Sequence, residues 1–210
     1  MKTINLTKGL LLMIGGVLIE CDHGSNEGTA KLTDTVVVDN YQGELREYNG
    51  LDLSSLSEFI ENSVLGPQYL DEKSYKLKIS GLVDTPSEMT YNQVLGYDKY
   101  QKVVKLVCDE GWKITILWEG VRIEDLLNKA GIKINAMSVI FRAADGYFTS
   151  MPLKYIHDNK LLLAYKVNGL KLPPKLGFPF QVVAESKWGI SWIKWVTEIE
   201  LSSDTVFWRF

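Results

Sequence analysis

The sequence predicts an α+β domain built on antiparallel or mixed sheets. Three observations lead there. Short stretches in which apolar and polar residues alternate recur along the chain, as in SYKLKIS (74 to 80). Tight-turn dipeptides, Asp145-Gly146 and Asn168-Gly169, separate such stretches. Helical periodicity is sustained in one amphipathic run, residues 122 to 130. With 210 residues, 46% of them apolar and 23% charged, the composition is globular and the length allows a sizeable core. No Gly-rich phosphate fingerprint follows a strand, which excludes a Rossmann or P-loop reading.

The elements follow in order. LDLSSLSEFIE (51 to 61) reads as a short helix capped by a serine. In 74 to 80, Tyr75, Leu77 and Ile79 alternate with Lys76 and Lys78, the pattern of a half-buried strand. Asp84-Thr85-Pro86 is a turn, residues 90 to 95 a short helix, and 101 to 107 a second strand that ends at Cys108. RIEDLLNKA (122 to 130) is the amphipathic helix, stopped by Gly131. Residues 138 to 142 are strand-like and turn at Asp145-Gly146 into Tyr147 and Phe148. Residues 152 to 156 form a helical turn, 161 to 167 a strand, and Asn168-Gly169 a second hairpin. Residues 180 to 184 and 192 to 201 close the domain, the latter with Ile193, Trp195, Thr197, Ile199 and Leu201 on one face.

The N-terminus reads as a targeting segment. Lys2 and Lys8 precede or border the apolar run GLLLMIGGVLI (9 to 19), which is short for a membrane span. It leads into Leu18-Ile19-Glu20-Cys21, which resembles a lipoprotein signal with Cys21 as the acylated residue, although Glu20 stands where a small residue is usual. The expected organisation is an export signal over 1–21, a polar tether and N-terminal extension over 22–50, and a folded domain over 51–210. The chain would then be extracytoplasmic and held to the membrane by a lipid anchor. A net charge of −3, a pI near 5.5 and no Lys/Arg cluster argue against a nucleic-acid partner. Cys21 and Cys108 are too far apart in sequence and context to imply a disulfide framework. The two histidines, His23 and His157, sit in no recognisable motif.

The segment KLVCDEGWKI (105 to 114) raises the question of chemistry. Two carboxylates directly after Cys108 disfavour a free thiolate, so a nucleophilic role is a poor fit. A small buried hydrophobe is one reading. A thiolate ligand to a soft metal is the other, because coordination deprotonates a thiol whatever its neighbours. With no second Cys or His nearby, a closed zinc site is excluded, but one protein bond to a metal otherwise held by a cofactor remains open.

VCDEGWKITILWEGVRIEDLL (107 to 127) resembles the metal-ligand segment of the sulfite-oxidase-type molybdopterin oxidoreductases. GPQYLDEKSYKLKISGLVDTP (66 to 86), VIFRAADGYFTSMPLKYI (139 to 156) and residues 162 to 201 resemble that family's entry strand, next hairpin and closing strands, in order. The resemblance implies the family's mixed-sheet fold and a molybdenum–molybdopterin cofactor with Cys108 as the molybdenum ligand. It implies that Lys194, with the backbone of Trp192 and Ile193, holds the cofactor, with Lys187, Gln181, Asn62 and Ser63 as further contacts. Gln181 stands where many members carry Arg, and Gly189-Ile190-Ser191 where a Gly-aromatic-Lys run is common. Tyr147 and Arg142 are the substrate-side candidates.

The expected activity is two-electron oxygen-atom transfer, with S-oxide or N-oxide reduction favoured over sulfite oxidation because arginines are few. The substrate is a small-molecule or protein-bound S-oxide or N-oxide. No C-x-x-C-H haem motif occurs in this chain, so electrons are expected from a separate cytochrome or quinone-linked partner. The alternative is a cofactor-free exported lipoprotein that keeps the fold as a binding module. Its argument is the N-terminus: this cofactor is inserted into folded protein, and the Arg-Arg pair of a folded-cargo export signal is missing from the stretch around Lys2 and Lys8.

Overall fold

The computed structural model describes residues 41–61, 63, 65–107 and 111–205. The expectations for the signal and tether over 1–40, and for Cys21, Asn62 and Cys108, fall outside those residues. The strands are β1 (Glu47–Tyr48), β2 (Leu51–Asp52), β3 (Lys76–Gly81), β4 (Ser87–Thr90), β5 (Tyr100–Val107) and β6 (Lys113–Arg122). They continue with β7 (Ser138–Ala143), β8 (Phe148–Pro152), β9 (Leu162–Val167), β10 (Leu170–Lys171), β11 (Gln181–Val183) and β12 (Val196–Ser202). Helices are short: α1 (Tyr91–Val94), α2 (Ile123–Ala130) and α3 (Leu153–Asp158).

One five-stranded sheet runs β4-β3-β12-β7-β8, and a second runs β10-β9-β6-β5 with β11 also paired to β9. β12 pairs parallel with β3, and the other named ladders are antiparallel. This is the α+β architecture with mixed sheets that the sequence predicts. The core is continuous across both sheets. The alternation in 74 to 80 puts Leu77 and Ile79 inside, facing the same interior as Phe141 of β7 and Ile199 and Leu201 of β12. α2 buries Ile123, Leu126, Leu127 and Ala130, the i, i+3, i+4, i+7 face of its period.

Asn168-Gly169 makes the predicted hairpin, with both residues at positive φ (+45° and +81°), as a two-residue primed turn requires. Asn168 is also fully buried, and both ends of its amide are bonded: Leu117 N–H donates to Oδ1 at 3.0 Å and Nδ2 donates to Ser54 O at 2.9 Å.

Two local expectations are corrected, and one strand is added. Residues 51 to 61 form no continuous helix. Leu51 pairs with Tyr48, and the Ser54 N–H is taken by Thr115 O, so only Leu56–Glu58 winds into a 3-10 turn under a Ser55 capping box. The closing strand starts at Val196, because Trp195 adopts φ +52° and turns a corner that an extended strand cannot contain. β6 goes unread in the sequence: Ile116, Leu117 and Trp118 are buried in succession, which erases the two-residue period.

Candidate active site

The corner before β12 builds a cleft. Trp188, Gly189 and Gly177 supply carbonyls to the N–H groups of Ser191, Trp192 and Trp195, and Ile193 O accepts from Val182 N–H at 2.9 Å. Trp195 O in turn accepts from Ala144 N–H at 3.0 Å, which ties the corner to the β7–β8 hairpin. The backbone from 188 to 196 is thus fixed to three other parts of the fold. Between this corner, the hairpin and Ser63 lies a cleft of about 280 Å³.

Lys194 enters the cleft wall with a side chain only 12% exposed, and its Nζ meets Glu61 Oε1 at 3.0 Å. The same Oε1 accepts from Ser63 N–H at 3.0 Å, and Oε2 accepts from Ser63 Oγ at 2.9 Å. Burial raises the Glu61 pKa, but the Lys194 and Ser63 donors outweigh it and hold the carboxyl below its ordinary range. Tyr147 spans the cleft: its N–H bonds Asp145 Oδ1 at 3.0 Å and its hydroxyl donates to Ile190 O at 2.7 Å. Trp192 and Ile193 line the floor, and Trp192 packs on the buried Trp118 with ring centroids 5.7 Å apart.

Gln181 is 1% exposed and its Oε1 has no partner. Gly177 stands between it and Lys194: a Cβ there would lie 3.1 Å from Lys194 Cβ and 3.3 Å from Gln181 Cβ. β5 ends at the same region, where Val107, the residue before Cys108, is bridged in parallel to Trp188.

The structure therefore brings together Ser63, Tyr147, Trp192, Ile193 and Lys194 around the cleft, with Gln181 adjoining Lys194. Two predicted residues do not join them. Arg142 precedes the cleft-lining Ala143 on β7, so strand alternation turns it to the opposite face, where its guanidinium meets Glu200 at 2.7 Å. Lys187 is close in sequence, but its ammonium lies over the Tyr155 ring at 4.7 Å. Glu61 was missed as a site residue, and its only sequence signal was its place beside Asn62 and Ser63. Asp145, read as a turn residue, also lines the cleft.

The chain belongs to the oxidoreductase molybdopterin binding domain family, whose pattern matches residues 65–207. It is 33% identical to the uncharacterized oxidoreductase YuiH of Bacillus subtilis (strain 168) over 139 residues, 66% of this chain and 70% of that one. It is 29% identical over 120 residues to the putative protein-methionine-sulfoxide reductase subunit YedZ1 of Azospira oryzae, covering 57% of this chain and 46% of that one. Among solved structures, the sulfane dehydrogenase SoxCD from Paracoccus pantotrophus shares the fold with a TM-score of 0.63 at 23% identity, covering 66% of this chain and 41% of that one. The chain thus spans less than half of the last two.

The protein is a molybdopterin-binding oxidoreductase, and its cofactor is molybdenum held by the pterin. The described residues fit such a group. The cleft is concave, one wall carries a largely buried cation, and Tyr147, Trp192 and Trp195 give it aromatic surface. When bound, the cofactor supplies two-electron redox chemistry at molybdenum. The chain's own contribution is a rigid corner that fixes the donors, and a wall partly formed by Tyr147, Trp192 and Trp195.

Proposed function

We propose that this oxidoreductase reduces S-oxides or N-oxides, in the balance R₂SO + 2e⁻ + 2H⁺ → R₂S + H₂O, with the electrons delivered by a separate protein or quinone-linked partner. In this reading Cys108 is the molybdenum ligand. Lys194 serves the terminal phosphate of the pterin, helped by Gln181, Ser63, Asn62 and the backbone of Trp192 and Ile193. Tyr147 borders the substrate.

The charge of the cleft carries the choice of substrate class. Among its described lining residues Lys194 is the one cation, and in this reading the cofactor's phosphate takes it, while Asp145 adds a carboxylate. An anion such as sulfite or nitrate needs uncommitted positive charge. Arg142, the arginine nearest in sequence to the hairpin, is turned away and paired. A neutral oxide asks only for an apolar pocket with a few polar groups, which Tyr147, Ile190 and Trp192 supply.

We further propose that the chain is exported and anchored by lipid at Cys21. The test of the whole reading is molybdenum per chain in protein from a molybdate-replete host, with dye-linked reduction of sulfoxides compared with sulfite oxidation. About one atom per chain, lost in Cys108→Ser, with sulfoxide reduction the faster activity, is the expected result. A value near zero would sink the ligand assignment, and faster sulfite oxidation would sink the substrate class.

A further inference from the structure

Glu61 has no part in the function proposed above, yet its carboxylate is bonded to two residues that line the cleft, Lys194 and Ser63. Its carboxylate takes Lys194 Nζ at 3.0 Å and two donors from Ser63, at 3.0 and 2.9 Å. Both members of the ion pair are largely out of water, with side chains 15% and 12% exposed. An exposed pair would exchange readily with solvent, but a desolvated one keeps its geometry, because separation leaves each charge unpaired in a poor solvent. The cation offered to an arriving phosphate is therefore already occupied by an anion of the chain itself.

Nothing else among the described lining residues makes up the deficit: Lys194 is their one cation, and Asp145 adds a carboxylate. Ser191 and Gln181, buried near Lys194 in the fold, are neutral. A phosphate entering this wall meets net negative charge for as long as Glu61 is ionised and holds Lys194.

We propose that Glu61 is a built-in counter-anion that competes with the cofactor's terminal phosphate for Lys194, and so sets how firmly the chain retains its pterin. The inference rests on the reading that Lys194 serves that phosphate. Glu61 acts through Lys194 and is a positioning residue. Its effect falls on retention of the cofactor, with the fold unchanged.

The experiment follows pterin remaining per chain, read as the fluorescence of the oxidised pterin, while full-length protein purified with its cofactor is dialysed. Glu61→Gln keeps the shape and can keep the Ser63 contacts while removing the charge. It should slow pterin release about three- to tenfold, the scale of one like charge in a partly wet cleft. Glu61→Asp keeps the charge and should release near the wild-type rate. A purely structural role predicts the reverse order, with Gln tolerated at the wild-type rate and the shorter Asp faster.

Release from Glu61→Gln at or above the wild-type rate overturns the proposal. If Lys194→Met still sheds pterin quickly in that case, the phosphate role of Lys194 stands and only the counter-anion fails. Lys194→Met at the wild-type rate overturns both. Should Glu61→Gln fail to fold, as judged by thermal melting, Glu61→Ala reads the same charge against the same threshold. If wild type retains no pterin, measurable pterin in Glu61→Gln supports the proposal, and none in either chain overturns it.

Discussion

Gly177→Ala tests whether the cleft depends on a single missing side chain. Gly177 has φ +111°, a backbone region that L side chains rarely adopt, and it caps the 3-10 turn Pro174–Leu176. An alanine there pays conformational strain on the order of 1–3 kcal/mol. Its Cβ would also meet Lys194 Cβ at 3.1 Å, Lys194 Cα at 3.3 Å and Gln181 Cβ at 3.3 Å, all inside the best carbon–carbon separation of roughly 3.5–4.0 Å. Lys194 is pinned by its neighbours, since Ile193 O bonds Val182 N–H and Trp195 N–H bonds Gly177 O, so it has little room to retreat. Strain and overpacking together come to roughly 2–4 kcal/mol. At roughly 2–4 °C per kcal/mol for a chain of this size, the melting temperature should fall by about 4–16 °C. Circular dichroism melts of the cofactor-free chain give the stability, and pterin fluorescence of the loaded chain gives retention, which should fall in parallel. A variant that melts within about 1 °C of wild type and keeps its pterin would refute the reasoning on both counts.

Three other predictions are more local. Gly120→Ala should cost about 3 kcal/mol or more and give little soluble protein, because its Cβ would lie 2.3 Å from Leu163 O and 2.7 Å from Ala164 Cα, forcing β6 and β9 apart. Tyr147→Phe removes the 2.7 Å bond to Ile190 O; it should cost about 0.5–1 kcal/mol in a denaturant titration and raise the KM for sulfoxide more than it changes kcat. Burial raises the pKa of Glu198, but hydrogen bonds from Lys78 and Ser80 overcome it and leave the carboxyl below its ordinary value. Its stabilising contribution is therefore complete above the ordinary carboxylate pKa and lost as pH falls through the lowered one. Glu198→Gln should flatten that acid limb in unfolding measurements made across the same pH range.

Elements that announce themselves locally were legible in the sequence. The alternation of Tyr75, Leu77 and Ile79, the amphipathic period of α2 and the turn chemistry of Asn168-Gly169 each carry their signal within a few residues. β6 was not legible, because a strand covered on both faces loses its period. The start of β12 was not legible either, since the positive φ of Trp195 is imposed by its bonds to Gly177 and Ala144 and by no propensity of tryptophan. In the candidate site, Lys194 was named through the family resemblance, and the structure puts it in the cleft wall. Glu61 is its partner across 133 positions of sequence, and no local pattern encodes that pairing. Arg142 was misread for a simple reason: a shift of one residue along a strand reverses the face.

The central position of β12 has a consequence for biogenesis. β12 lies between β3 and β7, and its contact with β3 joins Ser80 to Glu198, 118 positions apart. Until the stretch around Glu198 has left the ribosome, β3 and β7 are two open edges facing each other across a missing strand. Closing so distant a pairing is slow compared with forming local hairpins. The corner that carries Trp192, Ile193 and Lys194 immediately precedes β12, and its tie to the β7–β8 hairpin, Ala144 N–H to Trp195 O, forms only when this late segment meets that hairpin. The cleft is therefore among the last features of the domain to be completed, and its occupancy reports on late steps of folding.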